Sequence, residues 1–184
     1  IVCRLLPNLS QDSPFEYMIS RAHNLDYHTA IKDRSEILLQ AYTAFLCGGS
    51  FLFIDAIDPV GTMDARVYDL VGELYAFQQP YEPYYTGDMA EDVGIYYGIR
   101  SRLEGEVFDS CRCSRTLART LIRNHVPFGV TGAFHRLDGY KALFAPMLSA
   151  LEEKDNARLT AYVENGGTLY LSGFGNAKLV ETLT

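Results

Sequence analysis

Long apolar runs are missing from this 184-residue chain. The longest, such as Phe51 through Ile54, stop far short of the roughly 20 residues needed to cross a bilayer, and no charged-then-apolar leader opens the sequence. A soluble protein with no membrane partner is therefore expected. Basic charge is scarce as well: 16 Lys and Arg stand against 23 Asp and Glu, a net charge of −7. Delocalised binding of nucleic acid needs a basic footprint to neutralise phosphates, so sugar or protein partners fit this chain better. Cysteines are few. Cys3, Cys47, Cys111 and Cys113 are too irregularly spaced for a disulfide framework, and a reducing cytoplasm is the expected compartment. Cys111 and Cys113 form a C-x-C pair, but zinc wants four ligands, and neither a second pair nor a close histidine accompanies them. They read as two thiols on a helix surface, and no metal site is expected. What remains, 48% hydrophobic and 21% charged, is the composition of a globular chain with one or two cores and excludes disorder as the main state.

The first third reads as strand, helix, strand, helix. Residues 14–20 (PFEYMIS) are a short apolar and aromatic run with Glu16 set inside it, followed by a polar loop over residues 21–32. Asp33, with Glu36 three residues on, makes a capping-box-like start. Ile37, Leu38, Ala41, Phe45 and Leu46 then keep helical spacing, and Gly48 and Gly49 supply the stop. Residues 51–56 (FLFIDA) form a continuous apolar run, as expected of a parallel strand covered on both sides, and Asp55 and Asp58 lie at its carboxyl end. Asp64 can cap a second helix that carries Val67, Leu70, Val71, Leu74 and Tyr75 at spacings of three and four.

Residues 79–90 carry neither period, and two prolines, three tyrosines and a glycine mark a linker over residues 80–90. A fresh α/β series follows: strand 93–97, helix near 110–124, strands 128–131 and 141–145, helix near 152–164, and strand 168–172. Ser149 and Glu152 have capping-box spacing, and Gly166 and Gly167 end the last long helix. The fold class is α/β. Two units are too few for a closed eight-stranded barrel of about 250 residues, so residues 1–79 are expected to be the last quarter of one, and residues 91–184 at least half of an open doubly wound sheet.

These pieces resemble a known family. PFEYMISR, a loop holding His28 and Lys32, a helix ending in two glycines, FLFIDAIDPVGTMD and VYDLVGEL look like the closing βα units of the α-L-fucosidase-like glycoside hydrolase barrel. PYEPYYTGDMAEDVGIYYG, LIRNHVPFGV, YKALFAP and YVENGGTLYLSG are similar to the flavodoxin-like, glutamine-amidotransferase-like domain that follows the barrel in such proteins and in trimeric β-galactosidases. The resemblance implies retaining cleavage of a glycosidic bond by two carboxylates about 5 to 5.5 Å apart, with a carbohydrate substrate and assembly into a homo-oligomer. It places the acid/base at Glu16, after the aromatic Phe15, and the nucleophile on an earlier barrel strand that this chain does not contain. The alternative is a module without catalysis, serving oligomerisation or carbohydrate binding.

Glu16 in an apolar strand is costly to bury unpaired, so it is expected to face the barrel mouth or to pair with a cation such as Arg21. His23 and His28 lie in the loop after that strand, where a barrel gathers ligand contacts, and His28 is the candidate for touching sugar. Asp55 is a possible ligand for a sugar hydroxyl, whereas Asp58, before Pro59 and Gly61, suits turn structure. Tyr81, Tyr84 and Tyr85 suit packing more than sugar stacking. Amidotransferase chemistry needs a cysteine on a tight strand-to-helix turn with an activating histidine, and no cysteine follows Cys113. Arg112, Arg115, Arg119 and Arg123 recur at three, four and four along one side of a helix, opposite Leu117, Leu121 and Ile122. They form a solvated face or meet an acidic partner such as another subunit. GGTLYLSG lacks the spacing of a dinucleotide or phosphate-binding loop, and no cofactor is expected.

Overall fold

Asp33 and Asp64 start two helices as their sequence positions predict. In a computed structural model, which describes residues 1–8, 15–27, 29–57, 59–104, 107–173 and 177–183, the Asp33 carboxylate accepts the Ser35 amide at 2.8 Å and the Asp64 carboxylate accepts the Arg66 amide at 3.1 Å. Each satisfies one of the amides that the first turn of a helix leaves without a partner. The chain divides into two units, Ser10–Asp88 and a second made of Ile1–Leu9 with Met89–Thr184.

In the first unit, strand β1 (Glu16–Ser20) leads to helix α2 (Arg34–Phe45), strand β2 (Ser50–Ile54) and helix α3 (Ala65–Gln78). The strands run parallel, with Glu16 opposite Ser50 and Ser20 opposite Ile54. Ile19, Ile37, Ala41, Phe51 and Leu74 are buried together, and removing such side chains from water contributes about 1.5–3 kcal/mol for each large one. Gly48 ends α2 with a φ of 75°, and at Gly49 a side chain would meet the Phe15 ring, so glycine is required for the turn and for the close approach. The tyrosine-rich segment 79–84 winds into a short 3₁₀ helix, after which Tyr85 stacks on Phe45 with centroids 5.6 Å apart.

The second unit opens with a short helix α1 (Val2–Leu5). Strand β3 (Val93–Tyr96), helices α4 (Ile99–Glu104) and α5 (Val107–Arg123), strands β4 (Phe128–Thr131) and β5 (Ala142–Pro146), helix α6 (Glu153–Glu164), strand β6 (Thr168–Ser172) and helix α7 (Ala177–Leu183) follow. The four strands are parallel in the order β4-β3-β5-β6. Alternation along them separates two cores. Tyr96, Leu143 and Ala145 meet Leu159 and Tyr162 of α6 and Leu179 of α7, whereas Ile95, Tyr97, Phe128 and Val130 meet Ala118 and Leu121 of α5.

Three local features differ from the sequence reading. Residues 1–9 join the second unit, because Ile1 and Leu5 pack into the α5 core and Arg4 Nη1 donates to the Phe128 carbonyl at 2.7 Å. Ser149 does not cap α6: the helix starts at Glu153, and its N-cap Glu152 makes no side-chain cap bond. The reason is that Leu148 is buried, and Ser101 Oγ both donates to the Ala150 carbonyl at 2.6 Å and accepts the Ala150 amide at 3.0 Å, which holds this segment extended. On α5 the buried stripe is Ser110, Ser114, Ala118 and Leu121, while Ile122 shares the exposed side with Arg112, Arg115, Arg119 and Arg123.

Charge is divided unevenly. Residues 10–88 carry four Lys and Arg against twelve Asp and Glu, whereas the second unit carries twelve against eleven. Among the described residues, no helix is long and apolar enough to cross a membrane.

Candidate functional site

The carboxyl ends of β1 and β2 bring Arg21 and Asp55 together. Arg21 is the first residue past β1, where its amide donates to the Ile54 carbonyl at 3.0 Å and so extends the pairing by one step. Asp55 is the first residue past β2. Arg21 is 5% exposed. Its Nη1 donates to Asp55 Oδ1 at 2.8 Å and its Nη2 to the Thr29 carbonyl at 3.1 Å. Asp55 Oδ1 also accepts the Ala56 amide at 2.7 Å. Its second oxygen, Oδ2, is buried without a hydrogen-bond partner among the described residues. The arrangement is an oriented carboxylate, fixed through one oxygen and buried without a donor among the described residues at the other.

Glu16 stands elsewhere. It is exposed and begins β1, so it lies at the amino-terminal end of the strand, and of the two expected arrangements the pairing with Arg21 is not the one formed, Arg21 being paired with Asp55. Five residue steps along the strand separate Glu16 from Arg21, a span of about 16 Å at the usual rise. Barrel enzymes place their chemistry at the carboxyl ends of the strands, and that is the end Arg21 and Asp55 occupy. His28 and Asp58 lie outside the described residues. His23 is exposed, with Nδ1 3.7 Å from Glu36 Oε1.

The second unit carries a cluster that periodicity did not single out. At the carboxyl ends of β3 and β5 a cleft of about 270 Å³ is lined by Tyr96, Gly98, Phe134, Ala150 and Asp155 among others. Asp155, in the first turn of α6, is 5% exposed, and its Oδ1 lacks a hydrogen-bond partner among the described residues. Burial raises its carboxyl above the ordinary carboxylate range. Nearby, the Arg158 guanidinium donates to the carbonyls of Ala133 and His135. Burial, with that guanidinium close by, holds the His135 imidazole below its ordinary value. A signal for Asp155 existed in its place at the start of a predicted helix, but its burial follows from strand order, which local pattern does not reveal.

The cysteines are dispersed. Cys3 and Cys47 are buried, whereas Cys111 and Cys113 are half-buried on α5, with Cys111 Sγ 3.8 Å from Tyr97 Oη. No group of three or more metal-ligating side chains occurs among the described residues.

Residues 110–178 match the family described as the beta-galactosidase trimerisation domain. No curated protein matches the chain. Among solved structures, α-L-fucosidase isoenzyme 2 from Paenibacillus thiaminolyticus is similar at 20% identity and a TM-score of 0.73, over 95% of this chain and 27% of that one. The cold-adapted β-galactosidase from Rahnella sp. R3 is 25% identical with a TM-score of 0.70, over 92% and 29%. A GH42 β-galactosidase from G. stearothermophilus, solved as a catalytic mutant, is 22% identical with a TM-score of 0.72, over 92% and 28%. The chain thus spans under a third of the length of these proteins, and the likeness takes in both of its units. Over most of its length the chain has the α/β fold of part of these solved glycosidases.

Proposed function

We propose that this chain is the C-terminal portion of a cytoplasmic glycoside hydrolase that cleaves fucoside- or galactoside-like bonds by a retaining mechanism with two carboxylates. The observation that carries the reading is that one continuous chain follows the fold of such hydrolases over 92–95% of its length while residues 110–178 match their trimerisation domain. Retention needs two carboxyl groups about 5 to 5.5 Å apart. Asp55 is committed to Arg21 through one oxygen, which suits it to accept a substrate hydroxyl through the other rather than to transfer protons. We propose that both reacting carboxylates come from earlier barrel strands, because Glu16 begins its strand and lies at the end opposite Arg21 and Asp55.

The test uses the full-length parent on nitrophenyl α-L-fucoside and β-D-galactoside. Hydrolysis of at least one is expected. Asp55→Asn is expected to lower kcat/KM about 10- to 100-fold, the range for losing a hydrogen bond to a charged group, and Glu16→Gln to change it by less than about twofold. A parent that cleaves neither glycoside overturns the hydrolase reading, and a loss of 100-fold or more on Glu16→Gln restores the acid/base role to that residue.

A second reading, compatible with the first, is that residues 89–184 build a homo-oligomer. Arg112, at the head of the exposed stripe that continues through Arg115, Arg119 and Arg123, lines a groove of about 540 Å³ together with Thr116 and Thr120 of α5. On the other side of this groove are Phe144 and Tyr170, the latter 58% exposed, on a part of the sheet that α5 leaves open. The excess of acid in residues 10–88 gives a second copy a surface of opposite sign, and contacts between unlike surfaces make a ring when the rotation from copy to copy closes. The double substitution Arg115→Glu/Arg119→Glu is expected to convert the parent from a trimer to a monomer in light scattering. A trimer unchanged by that reversal removes the stripe from the interface.

A further inference from the structure

We infer that the cleft at the carboxyl ends of β3 and β5 is a binding site for a small neutral polyol of the monosaccharide class, with Asp155 as hydroxyl acceptor and the Phe134 ring as its apolar wall. The site is built wholly from second-unit residues and does not depend on the hydrolase reading. Open parallel sheets hold ligands where successive strands depart to opposite sides of a central one. Here that strand is β3, with β4 on one flank and β5 on the other, and the cleft opens there. A buried acceptor at such a point calls for a donor, and Asp155 Oδ1 has none among the described residues.

Charge selects the ligand. In many sheets of this kind a helix N-terminus at the switch point receives a phosphate. The corresponding end of α6 already carries Glu152, Glu153 and Asp155, so an anion is repelled. A cation meets Arg100 and Lys154 at the rim, and these are themselves engaged: Arg100 with Glu104 at 2.9 Å and Glu152 at 3.5 Å, Lys154 with Glu152 at 2.8 Å. The rim charges therefore largely cancel, which leaves a hydrogen-bond acceptor and an aromatic surface to recognise the ligand. Phe134 is 72% exposed, and Lys154 Nζ lies 5.4 Å from its ring centroid. A pyranose offers hydroxyl donors at its edge and C–H groups on its face, and about 270 Å³ accommodates one such ring.

The experiment is a ¹H–¹⁵N NMR titration of the full chain with D-galactose, L-fucose and, separately, inorganic phosphate. Either sugar is expected to produce saturable shifts at the amides of Gly98, Phe134 and Ala150, and phosphate none there. Asp155→Ala is expected to weaken sugar binding at least about tenfold, as loss of a charge-assisted hydrogen bond does. Phe134→Ala, at an exposed position that leaves the core intact, is expected to weaken it about fivefold. If Asp155→Ala fails to fold, Phe134→Ala decides alone. Absence of saturable sugar shifts at these amides, stronger shifts with phosphate, or undiminished binding by Phe134→Ala overturns the site. Sugar shifts confined to the neighbourhood of Arg21 and Asp55 overturn it while favouring the hydrolase reading, whereas a full-length parent inactive on every glycoside leaves it standing.

Discussion

Arg21→Met is expected to destabilise the first unit by about 3–5 kcal/mol, the usual result of leaving one member of a buried ion pair behind. The Arg21 and Asp55 side chains are 6% and 13% exposed and 2.8 Å apart. Their attraction at low dielectric is offset by the loss of hydration that each suffers, so the intact pair has a small net worth. Removing the guanidinium changes that balance. Asp55 then keeps the Ala56 amide on Oδ1 while its carboxylate sits in the interior without a counter-charge, and Oδ2 already lacks a hydrogen bond among the described residues. The double substitution Arg21→Met/Asp55→Leu removes both charges and is expected to recover most of the loss. Urea unfolding at constant slope reads the difference directly. A shift under 1 kcal/mol for Arg21→Met would mean that water reaches the carboxylate, and the picture of a dry, oriented Asp55 would fail. Asp55→Asn removes the charge from the same ion pair, so its activity is read at temperatures well below its own unfolding midpoint.

Periodicity made most of the fold legible. Apolar runs between glycine and acid punctuation located the strands, and β4 and β6 fall on the residues that the pattern marks, 128–131 and 168–172. Helix starts were readable where a short acidic side chain reaches its own first turn, as at Asp33 and Asp64. They were misread where tertiary contacts take precedence, as at Ser149, whose neighbours are tied down by Ser101 from 49 residues away. The site was legible in part. Asp55 is a candidate because it ends an apolar strand, and Arg21 as a cation within reach of Glu16, but which partner Arg21 takes depends on parallel register. With Glu16 opposite Ser50 and Ser20 opposite Ile54, the residues after the strands come side by side, while the residue that begins β1 is carried to the far end. No local pattern contains that register. Local pattern does not single out Asp155 for the same reason, since an acid in a first turn is ordinarily solvated, and only the order β4-β3-β5-β6 brings this one under the mouth of a cleft.

Leu159→Ala carries the second large effect, an expected destabilisation of about 2–5 kcal/mol from lost burial and the cavity left behind. Leu159 is 0% exposed in the core that α6 and α7 make with Tyr96, Leu143 and Ala145, and close packing there leaves little room for collapse into the space. Its place on α6 gives the substitution a further consequence. Asp155 lies four residues earlier, so the two side chains project from the same face of the helix, and what anchors Leu159 against the sheet also fixes the height of the carboxylate beside Tyr96. A cavity variant that remains folded should therefore bind sugar more weakly than the unaltered chain, although it removes no group from the cleft. Leu103→Ala is the control: Leu103 is 77% exposed at the rim of the same cleft, and its truncation is expected to change stability by less than about 0.5 kcal/mol. Thermal unfolding of both variants separates the cases. If Leu159→Ala unfolds within a degree of the unaltered chain, α6 is not seated on the sheet as described, and the placement of Asp155 fails with it.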